Sequence, residues 1–313
     1  MPELGRRGFV LGAAALLGCS RRDATKSAPP AMSVFAAEPD AGRGPSGAVR
    51  LLEWDVDARE GGPGRVAVLV PAWAEPNERF PVLVALHGRG EALKSPRDGA
   101  LGWARDYALT RAYRRLAAPP LNDDDLERMS DPARLKKTNE ELAQRPFGGV
   151  ITVCPYLPDL DLVDPGPIRA YGRYLVEVVL PRVRRDTPAL PSPSATGIDG
   201  VSLGGAVALR VGLGMPEAFG AVGTLQAAVQ KRQAPDLVAL ARAARAKNPK
   251  LRLRLLTSDG DYFREAIQAV GKAWRDAGVD HEYVEVPGPH DYPFNRGPGA
   301  FEMLLWHDRV LRG

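Results

Sequence analysis

The chain has 313 residues, 44% of them hydrophobic, with 29 prolines, two cysteines and a formal net charge of +4. This is enough apolar material for one large, loop-rich domain, and two cysteines exclude a disulfide framework. Charges of both signs are interspersed, and the densest basic group, Arg182, Arg184 and Arg185, ends a predicted helix where it complements the helix dipole, which speaks against a nucleic-acid partner.

From the N-terminus, Arg6-Arg7-Gly8-Phe9-Val10 precedes a short apolar, Ala/Gly-rich segment, residues 11–18, that is too short to span a bilayer. Residues 1–19 resemble a twin-arginine export signal. Their end, Leu16-Leu17-Gly18-Cys19-Ser20, resembles a bacterial lipobox, which implies lipidation at Cys19 and attachment to a membrane; a plain cleaved signal or an uncleaved anchor is the alternative. Either way the mature chain is expected outside the cytoplasm, in the periplasm or cell envelope. Residues 20–48, rich in Ala, Pro, Ser and Gly, cannot repay the entropy of ordering and read as a flexible linker.

A single domain is predicted over residues 49–313. Strand-like runs at 49–54 and 65–70 flank Gly61-Gly62-Pro63-Gly64, which predicts an antiparallel hairpin. The fully apolar run 82–86 fits a strand buried on both faces and ends in His87-Gly88-Arg89-Gly90, a loop whose backbone N–H groups can face a site. Residues 91–147 exceed what one crossover needs, so they read as a crossover plus a cap insertion, with helices over 100–116 and 131–143. Within it Trp103, Tyr107 and Tyr113 either line a pocket or belong to the core, and the spacing of Trp103 and Tyr107 favours the core. A strand at 149–154 carries Cys154, read as an inert buried thiol. A helix at 168–185 and the strand leading to Ser202 follow. Then come strand 219–224, helix 237–247, strand 251–257, helix 263–277, strand 282–286 and helix 300–311. Buried strands alternating with helices predict an α/β domain with a mostly parallel central sheet covered on both faces.

Chemistry concentrates at Gly200-Val201-Ser202-Leu203-Gly204, where a strand is predicted to turn sharply into a helix. Such a turn holds a serine hydroxyl exposed, with the N–H of Leu203 beside it as one donor of an oxyanion hole and the 87–90 loop as source of the other. A serine needs a base. Of the four histidines, His87 belongs to that loop, His281 starts a strand, and His307 lies in the last helix; His290 alone follows a late strand, at the edge where functional loops of parallel sheets gather. The carboxylate that fixes the base comes from Ser258-Asp259-Gly260-Asp261, with Asp261 preferred and Asp259 the alternative. Asp261 also suits a helix N-cap, and the two roles are expected to coexist only on different oxygens.

The order Ser202, Asp261, His290, each after its own strand, resembles the α/β-hydrolase superfamily. Within it, LHGRG at 86–90, GVSLGG at 200–205, SDGDYF at 258–263 and PGPHDYPF at 287–294 resemble the serine esterase group of esterase-D-like, feruloyl and enterochelin esterases. The resemblance implies Ser202 as nucleophile, His290 as base, Asp261 as acid and the amides of Arg89 and Leu203 as oxyanion donors. It implies a carboxylic ester hydrolase acting on a small-molecule or polymer-derived ester. A peptidase or acyltransferase uses the same parts, and a non-catalytic binding protein can keep the same fold. No motif calls for a metal, nucleotide or flavin, and no cofactor is expected. The sequence leaves the oligomeric state undetermined.

Overall fold

The computed structural model describes residues 48–56, 64–75 and 77–312. The export signal with Cys19, the linker up to residue 47 and most of the turn at 61–64 lie outside the described residues. Among the described residues no helix is long and apolar enough to cross a membrane.

Eight strands form one sheet in the order β1-β2-β4-β3-β5-β6-β7-β8. β1 (Val49–Asp55) and β2 (Arg65–Pro71) pair antiparallel, as the hairpin expectation requires, and β2 joins β4 (Ile151–Pro155) antiparallel. From there on every pairing is parallel, through β3 (Val82–Leu86), β5 (Thr196–Gly200), β6 (Ala221–Val222), β7 (Arg252–Gly260) and β8 (Glu282–Pro289). Alternation in the pleat splits the strand residues between two cores. Val82, Val84 and Leu86 of β3 pack in one, and Leu83 and Ala85 in the other.

Two short helices, α1 (Arg89–Ala92) and α2 (Pro96–Ala100), follow β3, and α3 (Leu109–Leu116) and α4 (Pro132–Gln144) complete the segment before β4. The predicted helix over 100–116 is therefore broken. Residues 101–107 form turns in which Gly102 is pressed against Glu91, where a Cβ would stand 2.5 Å from Glu91 Cγ, and Ala108 takes a left-handed φ of 47° before α3 starts. Trp103, Tyr107 and Tyr113 are all core residues. Cys154 is buried in the same core, and burial pushes its thiol far above the usual range.

On the other face α5 (Pro165–Tyr174) runs through a wider π turn at Leu175–Val179 into α6 (Leu180–Asp186). Pro181 has no N–H to continue the regular ladder, which accounts for the wider turn ahead of it. α7 (Leu203–Gly214), α8 (Ala234–Lys247) and α9 (Arg264–Asp276) complete this layer, their buried residues joining the core that holds Val82, Val84 and Leu86. α10 (Tyr292–Phe294) and α11 (Ala300–Leu311) end the chain, with Phe301, Met303 and Leu304 packing beside α3 in the opposite core. Behind β5, Arg254 is wholly buried over the Trp306 ring, 3.7 Å from Asp199, whose other neighbour is His307 at 3.1 Å.

Candidate active site

Parallel strands deliver their following loops to one edge of the sheet, and the residues singled out above lie there. Ser202 stands between β5 and α7 with φ 57° and ψ −116°, a conformation that costs a non-glycine residue roughly 1–3 kcal/mol. Its backbone is clamped: its N–H donates to Leu225 O at 3.0 Å, and its carbonyl accepts the N–H groups of Ala206 at 3.0 Å and Ala228 at 2.9 Å. Glycine is required on either side of the turn. A Cβ at Gly200 would lie 2.6 Å from the Gly204 carbonyl, and one at Gly204 would lie 2.4 Å from Leu86 O.

His290 follows β8 and is largely buried. Its Nδ1 lies 2.8 Å from Asp261 Oδ1, in the loop after β7. Asp261 is buried, and its Oδ2 accepts the Thr257 hydroxyl at 2.7 Å. The same Oδ1 that faces His290 accepts the Phe263 N–H at 2.9 Å, so one oxygen holds both the histidine and the turn into α9, against the expectation of separate oxygens. Phe263, rather than Asp261, is the N-cap of α9. Asp259 is exposed and accepts the Gly288 N–H at 2.9 Å. Two other histidines are fully buried: His307 against Asp199, and His87 beneath the loop that follows β3. The His87 tautomer follows from its partners, since Nε2 accepts the Leu157 N–H at 2.9 Å and Nδ1–H then donates to Gly88 O at 2.9 Å. Burial lowers its pKa to about 4.

Arg89 and Leu203 are the first residues of α1 and α7, so neither N–H has an acceptor within its own helix. The loop before α1 runs beside the serine; a Cβ at Gly88 would be 3.8 Å from Ser202 Cβ. The Arg89 side chain points elsewhere, to a bidentate pair with Asp159 at the exposed rim.

Tyr262 connects the parts. Its ring lies against His290, centroids 4.1 Å apart, and Ser202 is near enough to its hydroxyl to act on its pKa. Burial raises the Tyr262 pKa, the charge of Asp261 adds to this, and Ser202 opposes it. In the sequence this tyrosine stands within SDGDYF with no role to mark it, and Gln226 gives no signal at all. Gln226 is buried at a φ of 46° and donates to Ser258 Oγ at 2.6 Å and to Pro289 O at 2.9 Å, tying the loop beside Ser202 to the residue before His290. Neither residue type nor spacing announces such a tie; only the pairing of β6 with β7 reveals it. Among the described residues no group of His, Cys, Asp or Glu is arranged to hold a metal.

Residues 165–294 match the family described as "Putative esterase". No curated protein matches the chain. Solved structures with the same fold include a ferulic acid esterase, 15% identical over 84% of this chain and 98% of its own, at a TM-score of 0.59. An S-formylglutathione hydrolase (FrmB) from Staphylococcus aureus is 15% identical over 83% of this chain and 98% of its own, at 0.55. FphF, a fluorophosphonate-binding serine hydrolase from the same organism, is 14% identical over 84% and 99%, at 0.58. At these identities the likeness establishes the α/β-hydrolase fold.

Proposed function

Given an α/β-hydrolase whose residues 165–294 match the esterase family, we propose that this chain hydrolyses carboxylic esters, with Ser202 as nucleophile, His290 as base and Asp261 as acid. The observation that carries the reading is the convergence at one sheet edge: a serine held in a strained turn, and a histidine whose Nδ1 is 2.8 Å from a buried carboxylate. Strain at a serine that packing alone does not require is best explained by the exposure it gives the hydroxyl.

Ser202 Oγ attacks the ester carbonyl as His290 Nε2 takes its proton. Asp261 holds Nδ1–H and stabilises the imidazolium. The carbonyl oxygen becomes an oxyanion facing the amides of Arg89 and Leu203, at the starts of two helices. Collapse expels the alcohol, which receives the proton from His290, and leaves an acyl-Ser202. Water then attacks the acyl group with His290 again as base, and the acid is released. One structurally similar protein is named for its binding of fluorophosphonates and another as a ferulic acid esterase, and both fit this reading. The leader at residues 1–19 supports export, with Cys19 as a lipid attachment point.

A fluorophosphonate probe should label Ser202, and Ser202→Ala should lose hydrolysis of short p-nitrophenyl esters by at least about 10³-fold. Wild-type rates in that variant would rule out the assignment.

A further inference from the structure

Glu91 is a buried carboxylate that the steps above do not use. It lies in α1, two residues beyond Arg89, and is 1% exposed. Its Oε2 accepts the Tyr107 hydroxyl, and its Oε1 accepts the Tyr292 hydroxyl at 2.6 Å, with Lys94 Nζ 3.5 Å away. Tyr107 is engaged twice, because its oxygen also accepts the Gly88 N–H at 3.2 Å. A continuous path therefore runs from Gly88 through Tyr107 and Glu91 to Tyr292, two residues past His290. Its proton directions are fixed. Each phenol has one proton and gives it to Glu91, so Tyr107 can only accept from Gly88. Burial, reinforced by Glu91, pushes both phenols well above their ordinary range, so both remain donors throughout neutral pH.

The consequence falls on the loop after β3. With its N–H turned to Tyr107, Gly88 is taken out of the site, and the next amide, that of Arg89, is bracketed between two fixed points, Gly88 and Glu91. We propose that Glu91 is a positioning residue for the oxyanion hole: through Tyr107 it aims the Arg89 amide at the reacting carbonyl, and through Tyr292 it locks that loop to the His290 segment. It touches neither substrate nor reacting atoms, and the inference rests on the Ser202 esterase reading. A carboxylate is needed because two hydroxyls donate to it. Glutamine offers one acceptor oxygen, so in Glu91→Gln one hydroxyl proton loses its partner and Lys94 loses a counter-charge.

The test compares an aryl ester with its thiono counterpart, in which sulfur replaces the carbonyl oxygen. Attack on the thionoester places negative charge on sulfur, a larger atom and a weaker acceptor, so a well-aimed hole favours the oxygen ester and a loosened one loses that preference. In Glu91→Gln and in Tyr107→Phe, kcat on the oxygen ester should fall on the order of tenfold or more with KM within about twofold. The ester-to-thionoester ratio should fall by about fivefold or more, because the thionoester depends less on those donors. Should Glu91→Gln fail to fold, Tyr107→Phe, which removes one hydroxyl, carries the test alone. An unchanged ratio in variants that stay folded, whether both rates fall together or neither does, overturns the positioning role while Ser202-dependent hydrolysis by the wild type stands. A wild type that does not hydrolyse esters through Ser202 overturns the parent reading as well.

Discussion

One oxygen of Asp261 accepts both the His290 Nδ1–H and the Phe263 N–H, while the other accepts the Thr257 hydroxyl. This arrangement predicts an unusual tolerance of asparagine. In Asp261→Asn the amide oxygen can keep both N–H partners and the NH₂ group can face Thr257, so the histidine tautomer survives and only the charge opposite the imidazolium is lost. The expected fall in kcat is about 10²- to 10³-fold, short of the roughly 10⁴-fold that follows when the wrong tautomer is trapped. Asp259→Asn, which disturbs one bond to the Gly288 N–H near the end of β8, should stay within about twofold. Steady-state kinetics on p-nitrophenyl acetate measure both, and equal losses would refute the assignment of Asp261. Ser202, His290 and Asp261 stand out in the sequence as candidates because each follows a strand and rare residue types leave few alternatives. Glu91 does not, since its partners Tyr107 and Tyr292 are 16 and 201 positions away and a glutamate beside a glycine loop looks like any solvated one.

At the scale of the element, α7 is shaped by two glycines with opposite tolerances. A Cβ on Gly204 would meet Leu86 O at 2.4 Å and His87 O at 2.5 Å, forcing the helix off the strand that leads into the loop at residues 87–90. Gly204→Ala should therefore cost about 1–3 kcal/mol, and activity with it. Gly214 ends the same helix, is exposed and has nothing within 4 Å of the place a methyl group would take, so Gly214→Ala should instead raise stability by about 0.5–1 kcal/mol. Urea midpoints of the two variants should move in opposite directions; movement in the same direction would contradict the packing account. Period and apolar runs located the strands and the longer helices to within a few residues, but not the short α1, α2 and α10. They failed at 101–107, where a helix-like composition folds into turns, and they do not show that Arg254 of β7 is buried under Trp306.

Across the whole molecule, two histidines are kept neutral by burial, and this sets an acid limit. His87 is lowered to about 4, and His307 is lowered too, burial and the Arg254 charge outweighing the opposing pull of Asp199. A depressed histidine contributes its full stability above the unfolded value near pH 6.5 and loses it as pH falls toward the folded value. His87 alone should cost about 3 kcal/mol between pH 7 and pH 4. Thermal melts should be level above about pH 7 and decline below about pH 6.5; a midpoint unchanged from pH 7 to pH 5 would contradict the burial of these rings. Strand direction has a further consequence at this scale. Because β1 is antiparallel to β2, and β2 to β4, β1 runs the same way as the parallel strands, and Val49 starts at the rim of the sheet opposite the one that carries Ser202 and His290. Val49 therefore stands at the back of the domain, away from the candidate site. A lipid anchor at Cys19, as proposed above, would join the domain at Val49, on the side away from Ser202 and His290, and would leave the side that carries them unobstructed.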